Sequence, residues 1–479
     1  MSIIHRIFNI LFALSCVSTS ALSVSLTDFA IESVDSTRLP VTIHPPLHAP
    51  VQLATAIILN TNARSVTNDL EALATSIFGS DHVFVTSNEK EARHAASATL
   101  HYKLVIPVGG DGTLSSLVNY MCDELLLIVP PSNNEEEEQG PCLEQVMQQL
   151  PLMGYIPMGT GNGVGSVVGC RLPRKGLLRS RRKRLRQLKQ IMEQLQKVGQ
   201  DLLDDTVPAK VNMTIIPMPM IEVQTYHKDN ESSSSNHINS TNKGALCFFA
   251  GVGFDSLMLN DFKALKAWSQ RTGILKRALG SVTGYCVALI TMTLPQCVMQ
   301  NKHKIRVKLT TRCKEETLWI DHRRGDFAQR VDADDTNNNN DDDNNGITLL
   351  YEGAAGILAV GTSPFYGGGL RLFPFARMYP DKMHLRLGRI HPLKGFLNIP
   401  RIFEGSYRDD DFGCLDFLGN DFEVEVRQDN DSQEQGGYPF QHSGESAGYV
   451  DRFRLRLVKE PVRFVSFLPK RVIVPDKSK

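Results

Sequence analysis

The sequence predicts a mixed fold: an N-terminal α/β lobe on a parallel sheet, then a C-terminal all-β lobe of antiparallel, sandwich-like strands. Three observations carry this. Between residues 54 and 108, short apolar runs alternate with stretches of helical spacing, the signature of strands joined by crossover helices. From residue 211 onward the texture changes to short alternating runs with a single helical interruption around 262–294. Between these regions stand two glycine turns, Gly109-Gly110-Asp111-Gly112-Thr113 and Gly159-Thr160-Gly161-Asn162-Gly163, each at the end of an apolar run.

In chain order, 54–59 reads as a buried strand, 66–77 as a helix, 82–86 as a strand, 89–100 as a helix and 103–108 as the strand feeding the first turn. In such a sheet the ligand edge lies at the carboxyl ends of the strands. The loops 60–64, 86–87 and 109–113 are therefore expected side by side. Expected β-lobe strands are 211–216, 221–225, 246–250, 304–309, 356–360, 383–387, 422–426 and 453–458. The predicted division is a targeting segment at 1–21, a linker at 22–50, the α/β lobe at 51–207 and the β lobe at 208–462. A tail at 463–479 is expected to return to the first lobe. Polar low-complexity stretches at 133–140, 229–243 and 332–345 cannot bury a core and read as inserts.

With 479 residues, 42% hydrophobic content and a formal net charge of zero, the chain reads as globular and without a global nucleic-acid signature. Residues 1–21 join a basic start, an apolar run from Ile7 to Val17 and small polar residues. This predicts secretory-type or organellar targeting, to an endomembrane or plastid, with peripheral membrane association. No later run is long and apolar enough to span a bilayer; 280–294 comes nearest and reads as a buried helix. The nine cysteines form no CxxC pair and sit in apolar contexts, as reduced core thiols do. Ten basic residues fall between Arg171 and Lys189, and Leu185, Leu188, Met192 and Leu195 follow a helical stripe beside them. Such a helix lies on an anionic membrane surface or packs its stripe within the fold. Trp268 and Trp319 read as core residues.

Glycines at 109, 110 and 112 let the backbone approach a phosphate, and the following helix aims free N–H groups at it. Asp111 repels a phosphate, so its presence there points to a metal, a water or a substrate hydroxyl. In the second turn, Thr160 and Asn162 are hydrogen-bond donors for phosphate or ribose.

Together with Ala250-Gly251-Val252-Gly253-Phe254-Asp255 and Tyr366-Gly367-Gly368-Gly369, the two turns resemble the diacylglycerol kinase catalytic domain. That superfamily also includes sphingosine and ceramide kinases and bacterial lipid kinases. The likeness runs from about residue 51 to 474, with a bacterial flavour in 59–64 and 373–377. It implies ATP and Mg²⁺ as cofactors and transfer of the γ-phosphate to a hydroxyl of a diacylglycerol-like or sphingoid lipid at a membrane. By the same resemblance, nucleotide contacts fall on Asn60, Thr86, Gly109, Gly110, Asp111, Gly112, Thr113, Gly159, Thr160, Gly161 and Asn162.

Asp111 matches the carboxylate assigned to catalysis or to metal and water organisation, and Glu445 the general base, the two facing each other across a cleft. Ser443 stands where the family has an aspartate. Asp416 matches a residue of a structural magnesium segment. Asp255 is a substrate-recognising acid or a cap for the helix after it, and Tyr366 to Gly369 an acceptor-site loop or a plain turn. The rival readings are an NAD kinase, which shares the first turn, and a non-catalytic nucleotide- or lipid-binding module, which Ser443 favours.

Overall fold

The computed structural model describes residues 53–63, 65–128, 143–159, 162–170, 178–204, 214–226, 244–272, 282–300, 304–331, 347–366, 369–408, 413–428 and 437–467. The expected targeting segment, the linker, the three polar inserts and most of the tail lie outside these residues, as do Thr160 and Gly161. The chain divides into two compact units.

In the first unit, β1 (Leu53–Asn60), α1 (Asn68–Phe78), β2 (Val83–Thr86), α2 (Glu89–Thr99), β3 (Tyr102–Gly109) and α3 (Asp111–Ile128) follow in order. Then come α4 (Leu143–Gln148), β4 (Leu152–Met153), β5 (Ile156–Pro157), α5 (Gly163–Val167), α6 (Leu178–Leu203) and β6 (Thr214–Met218). β1 pairs in parallel with β2 and β3, and β3 with β4 and β5. Both central strands are near-continuous apolar runs because both faces of a parallel sheet are covered; Ile57, Leu59, Leu104 and Ile106 are fully buried. The strand Val462–Ser466 joins the same sheet, parallel to β4 and antiparallel to β6. The run 211–216, grouped with the β lobe by its alternation, thus finds its partner in this sheet. Its burial pattern is that of an edge strand, which alternation alone does not assign to either lobe.

α6 packs on this sheet against β1 and β3. Leu188, Ile191, Met192 and Leu195 are its buried stripe. At Gly199 the approach is so close that a Cβ would lie 1.8 Å from the Thr55 Oγ1, so only glycine lets the helix reach β1.

The second unit holds β7 (Ile221–Tyr226), β8 (Ala245–Cys247), β9 (Phe249–Gly253), α7 (Phe254–Thr272), α8 (Val282–Ala288), a π-helical turn (Leu289–Thr293) and α9 (Leu294–Gln300). Its later strands are β10 (Ile305–Thr311), β11 (Leu318–Asp321), β12 (Phe327–Arg330), β13 (Thr348–Ala355), β14 (Ile357–Gly361), β15 (Met383–Gly388) and β16 (Cys414–Gly419). They are followed by β17 (Asp421–Gln428), β18 (Tyr438–His442), β19 (Glu445–Val450) and β20 (Arg452–Leu457). One antiparallel sheet runs β13-β10-β17-β20-β7-β8 and the other β12-β11-β16-β15-β14-β9-β18-β19. Val223, Val307 and Val424 of the first pack with Val252, Leu358 and Leu385 of the second in one buried cluster. This is the sandwich the alternating runs predict. No helix among the described residues is long and apolar enough to cross a membrane.

Candidate active site

The register of the parallel sheet builds the site. Asn60 lies opposite Thr86, Leu59 opposite Val108, and Gly109 opposite Pro157. The strands therefore end level, and the two glycine turns leave β3 and β5 as neighbours. Gly109 O accepts from Met158 N at 2.7 Å and from Gly159 N at 3.1 Å, stapling the second turn to the first. A Cβ on Gly159 would sit 2.4 Å from Gly110 Cα, and one on Gly109 would meet the Thr113 side chain at 2.6 Å. Glycine is required at Gly159 by this contact between backbones, and at Gly109 by the Thr113 side chain packed against it. The first helical bond of α3 runs from Leu114 N to Gly110 O, so the amides of Asp111, Gly112 and Thr113 have no partner within the helix. The macrodipole adds its positive end there.

Asp111 is 5% exposed. Its Oδ2 accepts from Gly163 N at 2.6 Å, and its Oδ1 accepts from Val164 N and the Tyr155 hydroxyl, both at 3.3 Å. The acid at the head of α3 thus holds the head of α5, and the two turns are one construction. Burial raises the Asp111 pKa, against the hydrogen bonds from Gly163, Val164 and Tyr155. A carboxylate offers about four lone-pair positions. Three are engaged, two of them at long distance, so one position remains with which Asp111 could hold a divalent cation.

The neighbouring predicted residues are tied together in the same way. Asn60 Nδ2 donates to Thr113 Oγ1 at 2.8 Å, and its Oδ1 accepts from Asn62 N at 2.9 Å. Thr86 is 4% exposed, and its hydroxyl faces Leu59 O at 3.4 Å. Its carbonyl accepts from both the amide and the hydroxyl of Thr61, fixing the loop after β1. Asn162 has a left-handed φ of 53°. It closes the second turn on itself, donating to Gly159 O at 2.7 Å and accepting from Gly159 N at 3.0 Å.

Asp255 and Glu445 belong to the other unit. Asp255, 6% exposed, lies in the first turn of α7. Its Oδ2 accepts from the Tyr366 hydroxyl and from Gln441 Nε2. Ser443 and Gly444, at φ 48° and 79°, form the two-residue turn between β18 and β19, with His442 paired to Glu445. Both central residues are left-handed, as a type I′ hairpin requires, and aspartate and asparagine suit that turn better than serine. Glu445 is exposed and 3.3 Å from Lys263 Nζ.

Asp416 does not fit a magnesium ligand. It is fully buried on β16, and Arg386 donates to both of its oxygens, at 2.6 and 2.8 Å. His384 Nε2 lies 2.8 Å from Oδ1 and His322 Nε2 2.7 Å from Oδ2. Burial alone would raise its pKa, but the Arg386 charge and the two imidazoles outweigh this and hold the carboxyl well below the usual range. Four donors leave no lone pair for a cation, and the guanidinium repels one. Arg386 and His384 reach Asp416 across a strand pairing, Arg386 opposite Asp416, that the sequence does not reveal.

The basic stretch splits between its two readings. The apolar stripe of α6 is spent on the sheet, while Arg182, Lys183, Arg186 and Lys189 are exposed along the helix. Residues 171–177 lie outside the described set. The seven described cysteines form no disulfide, and Cys122, Cys170, Cys247, Cys297 and Cys414 are buried. Trp268, expected in the core, is 49% exposed.

Tyr155, Tyr366 and Gln441 are site residues that the motifs did not single out by role. Tyr155 stands at the start of the run that ends in the second turn, and Tyr366 leads its glycine triplet, so both were within reach of a motif reading. Gln441 carries no local signal.

Residues 56–194 match the family model of the diacylglycerol kinase catalytic domain. A search of curated protein sequences gives no match. Among solved structures, three diacylglycerol kinases or putative diacylglycerol kinases from Bacillus anthracis str. Sterne are similar. They share 11%, 14% and 13% identity at TM-scores of 0.44, 0.47 and 0.46. The matches cover 87%, 88% and 87% of this chain and 98% of each of the others.

Proposed function

From the diacylglycerol kinase catalytic domain carried by residues 56–194, we propose an ATP-dependent lipid kinase that transfers the γ-phosphate to a lipid hydroxyl. The single observation behind this reading is the backbone contact of two glycine turns at the edge of a parallel sheet, locked by Asp111. Amides of both turns would hold the phosphates. Through its remaining lone pair Asp111 would hold Mg²⁺ bound with the nucleotide, and the ion would supply charge neutralisation at the phosphates. In the transfer, the acceptor oxygen bonds to the γ-phosphorus, the bond to the β,γ-bridging oxygen breaks and ADP leaves. An alcohol gives up its proton late in such a step, to a carboxylate. Glu445, exposed and beside Lys263, is the proposed acceptor of that proton. Asp255 is the proposed anchor for the lipid's polar end.

Membrane association is proposed through the exposed basic face of α6 alone, acting by charge rather than by insertion. Targeting by the leader stays a proposal too, tested by fusing residues 1–50 to a fluorescent protein. The activity is tested by labelled-ATP turnover with lipid vesicles and, separately, with NAD. Transfer to lipid supports the reading, transfer to NAD replaces it with an NAD kinase, and no transfer leaves a binding module.

A further inference from the structure

The two side chains that hold the Asp255 carboxylate both act on one oxygen. Its Oδ2 accepts from the Tyr366 hydroxyl and from Gln441 Nε2, the latter at 3.2 Å. Gln441 also donates to the Tyr366 oxygen, so the three groups form a closed triangle. The orientation of the amide is set in turn by Gly444 N, which donates to Gln441 Oε1 at 3.1 Å. Tyr366 is wedged by Phe249 and Phe373, with ring centroids 4.8 and 5.8 Å away. Gly251 admits the carboxylate, since a Cβ there would lie 2.5 Å from Oδ2. Among the described residues, Oδ1 is buried without a hydrogen-bond partner. Both side-chain donors to Oδ2 are neutral. A buried carboxylate oxygen left unpaired is costly, and so elaborate a clamp on its twin fixes where the free oxygen points.

We propose that Tyr366 and Gln441 are positioning residues that hold Asp255 Oδ2 and thereby present Oδ1 to a hydrogen-bond donor, a hydroxyl or an ammonium, on the polar end of the acceptor lipid. This rests on the reading of the chain as a lipid kinase. Tyr366→Phe removes one hydroxyl and keeps the ring packing. It raises the KM for the acceptor about tenfold, the equivalent of one charge-assisted hydrogen bond, with the KM for ATP unchanged. Gln441→Leu acts in the same direction.

The decisive measurement is a double-mutant cycle in the full chain, with acceptors in mixed micelles and a non-hydrolysable ATP analogue to verify that each variant is folded. In the Asp255→Asn background, Tyr366→Phe has little further effect if the hydroxyl acts through Asp255. Additive losses, as a packing role would give, overturn the proposal. An unchanged acceptor KM in Asp255→Asn itself also overturns it, while leaving the kinase reading intact. Absence of transfer to every lipid by the unaltered chain overturns the kinase reading, and the proposal with it. Paired acceptors with and without an amine beside the reacting hydroxyl separate the two donors. A loss in Tyr366→Phe confined to the amine-bearing lipid assigns Oδ1 to the ammonium, and an equal loss for both assigns it to the hydroxyl.

Discussion

Asp111 and Asp255 are both buried acids in the first turn of a helix, yet the two units treat them differently. Asp111 is held by backbone amides from a second turn, so its position follows from the sheet and from glycine contacts. Asp255 is held by two side chains from distant parts of the chain, Tyr366 of a loop and Gln441 of β18, and one of its oxygens is left over. Asp416, in the same unit as Asp255, marks the far limit, with all its acceptor positions filled by Arg386 and two histidines. The lesson is that a buried acid's role is written in its unfilled lone pairs. Asp416 is a structural node, Asp111 joins two turns and keeps one position, and Asp255 keeps one oxygen.

The contrast breaks most readily at its saturated end. Asp416→Ala strands a buried guanidinium, and a loss of roughly 3–5 kcal/mol is expected, read as a lowered denaturant midpoint. A change below ~1 kcal/mol would mean that Asp416 is not the node described. Gly159→Ala comes next. Its Cβ separates the turns, and a displacement on the order of 1 Å costs about 100-fold in catalysis. The predicted signature is that loss in kcat/KM with a nearly unchanged thermal midpoint.

Asp111→Asn is expected to weaken binding of a non-hydrolysable ATP analogue about tenfold, because an amide cannot accept from both Gly163 and Val164 on the two atoms as a carboxylate does. If affinity holds and only turnover falls, the carboxylate serves the reacting atoms rather than the second turn. Full activity in this variant would remove Asp111 from the account.

The smallest effect is a pH dependence. Burial opposes charging of His322, but Asp416 and Asp326 on its two ring nitrogens outweigh it and raise its pKa above 6.5. Its stabilising contribution is therefore complete below the unfolded value near 6.5 and is lost as pH rises through the raised folded value. His384 has the opposite sign: burial lowers its pKa, and stability falls as acid forces it to charge. The difference in unfolding free energy between the parent chain and His322→Gln should be largest below about pH 6.5 and shrink as pH rises above it. Growth of that difference with pH would contradict the bridging role.

How much of this was legible in the sequence follows the range of the interactions. The order of strands and helices up to α3 is local, written in apolar periodicity and turn residues, and it could be read directly. The sandwich was legible as a class, since alternation reports a half-buried strand without naming its partner. By alternation alone 211–216 therefore groups with its neighbours in sequence, whereas its partner, Val462–Ser466, lies in the parallel sheet. The glycine turns announced themselves, but the reason for Asp111 did not, because its partners Gly163 and Val164 lie more than fifty residues on. Asp416 is the clearest case. An isolated acid in a strand looks like any ligand until the register places Arg386 opposite it.

Lipid kinase activity is read by incubating the full chain with labelled ATP and Mg²⁺ against micelles of diacylglycerol, monoacylglycerol, sphingoid base and ceramide. NAD serves as a soluble comparison, and Gly159→Ala as the matched control. Label is expected in at least one extracted lipid, dependent on the intact second turn and absent from NAD. Label in NAD alone, or label in lipid that survives Gly159→Ala undiminished, would contradict this expectation.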